Sequence, residues 1–129
     1  MNRGYFYASS PYKKELAGYG GWGSSGNVFK KDSSQSARSE HNLQMVVSSE
    51  TKRLFQRNYL GMTLQVRNGS KDTFIFPAQD SRLYLKIQAK DKKGEWRDIE
   101  YLPSSWCGNS YHQLYLPPSH YWEFVIPQY

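Results

Sequence analysis

The chain has 129 residues, enough for one domain with a core of its own. Its single cysteine, Cys107, excludes an internal disulfide, and no apolar run approaches the roughly 20 residues that a membrane helix needs. The net charge of +6 draws a protein toward nucleic acid, anionic surfaces or acidic partners, yet it is spread along the chain and no Lys/Arg block reaches the length of a basic tail.

Residues 1–41 differ from the rest. Gly and Ser dominate stretches such as Gly18-Tyr19-Gly20-Gly21-Trp22-Gly23-Ser24-Ser25-Gly26, and apolar periodicity is absent. Ser33-Ser34-Gln35-Ser36-Ala37-Arg38-Ser39 carries too little apolar surface to offset the entropy of ordering it. The expectation is a flexible Gly/Ser/Tyr-rich leader, with one or two of its aromatics resting on the domain that follows. The first seven residues have no apolar signal-peptide core, which leaves a cytoplasmic protein or a chain without its own N-terminus. The compartment stays open.

Strand signals begin at Asn42. Leu43, Met45 and Val47 alternate with Gln44, Val46 and Ser48. Arg53-Leu54-Phe55-Gln56 fits a short strand or a helical turn equally. Leu60, Met62, Leu64 and Val66 mark a second strand. Asn68-Gly69-Ser70-Lys71-Asp72 reads as a hairpin turn using positive φ, Thr73-Phe74-Ile75-Phe76 as the returning strand, and Pro77 as the end of its ladder. Residues 82–102 read as a β-hairpin. Leu83, Leu85, Ile87 and Ala89 form the buried face, and Asp91-Lys92-Lys93-Gly94 forms the turn. After a loop, His112 to Leu116 and His120 to Ile126 are strands, the latter with Trp122, Phe124 and Ile126 inward. This spacing predicts an all-β fold, an antiparallel two-sheet sandwich over residues 42–129, with a small barrel as second choice. The chain stops soon after a strong strand, so a closing C-terminal strand is expected to be missing or supplied by a partner. The sheet edge left open would invite strand pairing or self-association.

At Trp106-Cys107-Gly108-Asn109-Ser110-Tyr111-His112, Leu116-Pro117-Pro118 and Tyr121-Trp122-Glu123 the chain resembles uncharacterised bacterial proteins with immunoglobulin-like β-sandwich domains. The resemblance covers about residues 42–129 and implies a sandwich in a cell-envelope setting whose chain runs on past Tyr129. It implies no catalytic residues.

Candidate sites were weighed against structural roles. Trp106, Tyr111 and His112 sit in or beside a loop at a sandwich end, where aromatic faces bind ligands. Lys86, Lys90, Lys92, Lys93 and Arg97 cluster on the central hairpin and, with Tyr84, would suit a nucleic-acid backbone; Glu95, Asp98 and Glu100 interrupt them. Cys107 and His112 suggest a thiol enzyme only by proximity, since no nucleophile signature accompanies them. One Cys and three scattered His give no metal-ligand spacing, and no cofactor motif is present. The function expected is a non-enzymatic binding or adhesion module that meets a protein or glycan through end loops or an open edge strand. The alternative is a nucleic-acid-associated protein.

Overall fold

The computed structural model describes residues 6–18, 22–34, 42–100 and 108–128. Its strands are β1 (Lys30–Lys31), β2 (Leu43–Phe55), β3 (Tyr59–Asn68), β4 (Phe74–Gln79), β5 (Arg82–Leu83), β6 (Gln88–Lys90), β7 (Trp96–Asp98), β8 (Tyr111–Leu116) and β9 (His120–Pro127). All pairings between them are antiparallel. One sheet has the order β1-β9-β3-β2, a second has β5-β4-β8, and β6 with β7 makes a separate ribbon.

Alternation decides which side chains meet. Leu64, Val66, Trp122, Phe124 and Ile126 leave the first sheet on one face; Ala78, Leu83, Leu114 and Leu116 leave the second toward them, and all are buried. Phe76 of β4 stands edge-on to Trp122 of β9 at 5.4 Å between ring centroids. The arrangement is an all-β pair of sheets around one core, as the strand pattern predicts. The parity expected in β9 and in residues 83–89 holds, with Leu83 buried, Leu85, Ile87 and Ala89 half-buried, and Tyr84, Lys86, Gln88 and Lys90 exposed. The Asp91 turn forms as read: Gly94 N–H donates to Asp91 O at 2.9 Å, and Gly94 takes φ 81°.

Several local expectations change. The hairpin over residues 82–102 is split. β5 pairs with β4, only Gln88–Lys90 pairs with β7, and residues 101–107 lie outside the described set. The Asn68-Gly69 turn is no hairpin, because β3 and β4 belong to different sheets. Gly69 takes no positive φ there. The buried Asn68 side chain makes the turn instead. Its Nδ2 donates to Asp72 O at 2.7 Å and Leu116 O at 2.8 Å, while Oδ1 accepts from Ser70 N and Oγ at 2.9 and 2.7 Å. Pro77 does not end β4, which runs on to Gln79. β5 reaches only Ala78 and Gln79, so β4 has an open side at Pro77, where a residue without an amide hydrogen is tolerated. Arg53 to Phe55 is strand, and Gln56 and Arg57 turn the chain with φ 49° and 68°. The last strand is also not the open edge: β9 lies between β1 and β3.

The largest difference is in the leader. Its described residues are part of the domain. Phe6 and Ala8 are core residues, and Phe6 packs edge-on to Phe124 at 5.6 Å. Leu83 N–H donates to Phe6 O, Ala8 N–H to Ser81 O, and Ser9 bridges Val28. Trp122 Nε1–H donates to Ser9 O at 2.9 Å. These are isolated bridges rather than a long ladder, so no period appears in the sequence.

Truncating Phe6 separates a packed segment from a leader. Phe6→Ala is expected to cost about 3–5 kcal/mol in urea unfolding; an unchanged midpoint would return the segment to a dispensable leader.

Candidate binding edge

Of the residues nominated from sequence, Trp106 and Cys107 lie outside the described set. Tyr111 is exposed at the start of β8. His112, nominated with Tyr111 as a ligand residue, is buried. Its Nε2 accepts the Ser81 N–H at 2.9 Å, so the neutral ring carries its proton on Nδ1. Asp80 and Ser81 hold φ of 48° and 62° to present that amide. The Trp22 ring lies 5.3 Å from the imidazole. A Cβ on Gly23 would stand 2.8 Å from His112 Nε2 and 2.9 Å from Ser81 Oγ, so glycine is required for this approach. Burial pushes the His112 imidazole below its ordinary value, against opposing influences of the Gln113 backbone and Asp80.

The basic hairpin is largely neutralised by itself. Lys86 Nζ meets Asp98 Oδ2 at 2.8 Å, and Arg97 pairs with Asp91 at 3.2 Å and with Glu95. The amide of Glu95 foremost, and those of Lys93 and Gly94 with Arg97, hold the Asp91 carboxyl below its usual range; Lys86 does the same for Asp98. Lys90 lies 5.3 Å over the exposed Trp96 ring. Lys92 and Lys93 are exposed at the turn.

A different feature emerges at β2, the terminal strand of the larger sheet among the described residues. Met45 stands opposite Val66 and Val47 opposite Leu64, so these β2 side chains share the core-facing side of the sheet. Yet Met45 is 65% exposed and Val47 54%, so the described strands of the smaller sheet do not cover them. Leu43, Leu54 and Leu60 are exposed on the same side. The alternation of Leu43, Met45 and Val47 reads as a buried face in sequence, and nothing local says that its cover is absent.

On the opposite side of the sheet, a hollow of about 270 Å³ is lined by Val46, Ser48, Arg53, Thr63, Gln65, Arg67 and Glu123. The register of β2 on β3 shifts between Ser48 and Arg53, and Arg53 then stands opposite Gly61. A Cβ at Gly61 would come within 2.8 Å of Val125 Cγ1 and 3.2 Å of Phe55 Cβ, so the close packing here needs glycine. Glu123 accepts from Gln65 Nε2 at 2.8 Å and faces Arg53 at 3.6 Å and Lys30 at 3.9 Å. Arg67 donates to Gln65 Oε1 and faces Asp32 at 3.6 Å. Burial raises the Asp32 carboxyl, but hydrogen bonds from Ser34 and the Arg67 charge outweigh it and leave the group below its ordinary value. Sequence reasoning missed this cluster, because its members come from four separate stretches.

No family model, curated protein or solved structure matches the chain. The site is therefore argued from its own geometry.

The buried imidazole gives a pH dependence. A folded-state value below the ordinary imidazole value of about 6.5 means that the native state disfavours the proton. Its contribution to stability is complete above 6.5 and declines as the pH falls through that value. The lowered carboxylates act in a separate window, near and below the ordinary aspartate value of about 3.9. Melting temperature should therefore drop from about pH 7 to about pH 5, and His112→Gln should flatten that drop while lowering the plateau. Parallel melting curves for parent and variant would contradict the assignment.

Proposed function

We propose that the protein is a non-enzymatic binding module that takes an extended segment of a partner protein onto the edge strand β2. The observation that carries this reading is the position of β2 as a terminal strand whose Leu43, Met45 and Val47 lie on the core-facing side of the sheet and stay exposed, with no strand of the smaller sheet over them among the described residues.

The other described edges of the two larger sheets are guarded, and the strands of the β6–β7 ribbon are three residues long and carry Lys90, Arg97 and Asp98. β1, at the far side of the same sheet, is two residues long, and both are lysine. β5 is equally short and meets Tyr7 in a bridge. β8 has residues 10–18 beside it: Ser10 Oγ accepts from Tyr115 N, Lys13 lies 4.1 Å over the Tyr115 ring, and Gly18 approaches the Tyr111 carbonyl so closely that a Cβ would fall 1.6 Å from it. Native sheets protect edges with short strands, charge, proline or a covering segment. Residues 43–48, Leu-Gln-Met-Val-Val-Ser, carry no charge and no proline. A strand added to such an edge gains main-chain hydrogen bonds along its length, and alternate side chains supply specificity.

We further read the sandwich as immunoglobulin-like in layout, on the motifs at residues 106–112 and 121–123. A role for the basic ribbon with nucleic acid is disfavoured, since Lys86 and Arg97 already pair with carboxylates of the same ribbon.

The test is proton–nitrogen NMR of the full chain titrated with blocked, strand-forming octapeptides. Shift changes should centre on residues 43–48 and disappear in a Met45→Lys/Val47→Lys variant that keeps the parent fold. Changes centred on Tyr111 or on residues 88–98 instead would defeat the reading.

A further inference from the structure

Resting on that reading, we infer the chemistry of the segment: an extended strand with apolar side chains at alternate positions and glutamates at the positions between them. The two sides of β2 ask for different things. A strand added beside β2 lies about 4.8 Å away, and its successive side chains point to opposite faces. Those on the core-facing side meet Met45 and Val47, which are exposed and apolar. Those on the other side lie along Val46 and Ser48, at the rim of the polar hollow.

That hollow has more cation than carboxylate within reach. Glu123 already accepts the Gln65 amide, and among the described residues it alone pairs with Arg53 and Lys30, at 3.6 and 3.9 Å. Both distances exceed hydrogen-bond contact, so neither cation has its donors committed to that carboxylate. The Arg53 side chain is 48% exposed and that of Lys30 57%. A second carboxylate entering from the β2 side would balance the pair and could accept from the Arg53 fork. Glutamate, one methylene longer than aspartate, reaches further from an adjacent strand toward Arg53 and Lys30. The overall charge of +6 acts in the same direction by drawing acidic segments to the surface.

A second copy of this chain is a poorer occupant. In an antiparallel pairing of two β2 ladders centred on Val46, positions 44, 46 and 48 face one another, and these are Gln44, Val46 and Ser48, with no carboxylate among them. Two molecules of charge +6 also repel.

The experiment uses three blocked octapeptides of alternating Val–Glu, Val–Lys and Val–Thr, each labelled for fluorescence anisotropy, against the full chain at low salt. Light scattering is run on the same samples. Val–Glu should bind roughly tenfold tighter than Val–Lys, and Arg53→Glu should reverse the order. Equal binding of all three peptides, unchanged by Arg53→Glu, would overturn the acidic occupant and leave the edge reading standing. Failure of every peptide to bind, with no NMR change at residues 43–48, would overturn the edge reading itself. A stable dimer abolished by Met45→Lys would overturn both in favour of a second copy.

Discussion

An indole at the centre of the molecule must place its one polar hydrogen. Trp122 is fully buried between the two sheets, stacked edge-on against Phe76, and its Nε1–H has no route to water. It donates to Ser9 O. A buried donor without a partner costs about 1–3 kcal/mol, so this bond ties the N-terminal segment to the core. Ser9 bridges Val28, and Asn27 Nδ2 donates to both Tyr7 O and Glu123 O, closing a seam beside β9. β9, flanked by this seam and by β3, is thereby removed from the edge of its sheet.

Uneven sheets follow from that arrangement. The segment around residues 6–18 serves the second sheet by covering β5 and β8, and Lys30 and Lys31 extend the first sheet on its β9 side. Nothing among the described residues does the same for β2. Its core-facing side chains keep the alternation of a buried strand, while the layer opposite them stops short. An apolar face of this kind on a terminal strand is what the proposed docking of a partner segment would cover.

The charges sort themselves similarly. On the β6–β7 ribbon, cations and carboxylates alternate within one hairpin and pair locally, which suits a solvated element. On the outer face of the larger sheet, the members come from distant stretches, and their ratio is uneven. Asp32 balances Arg67, whereas Glu123 is shared by Arg53 and Lys30. The surplus lies beside β2, so the apolar and electrostatic features that the proposal uses meet on the same strand.

The sequence alone determined which residues become strands and which faces of them are apolar. Trp122, Phe124 and Ile126 point inward as their spacing requires, and Gly94 closes the Asp91 turn. These are consequences of pleat and turn chemistry within a few residues. It did not reveal that Asn68-Gly69 carries the chain from one sheet to the other, because the partner that fixes that turn, Leu116 O, is far along the chain. Nor did it show that Phe6 and Ala8 belong to the core, since isolated bridges leave no period to read. An open sheet edge was legible only as an unlocated possibility, and was expected after the last strand. Which strand ends the sheet, and whether a second layer covers it, depends on pairings between distant segments, and only the tertiary structure decided that this strand is β2.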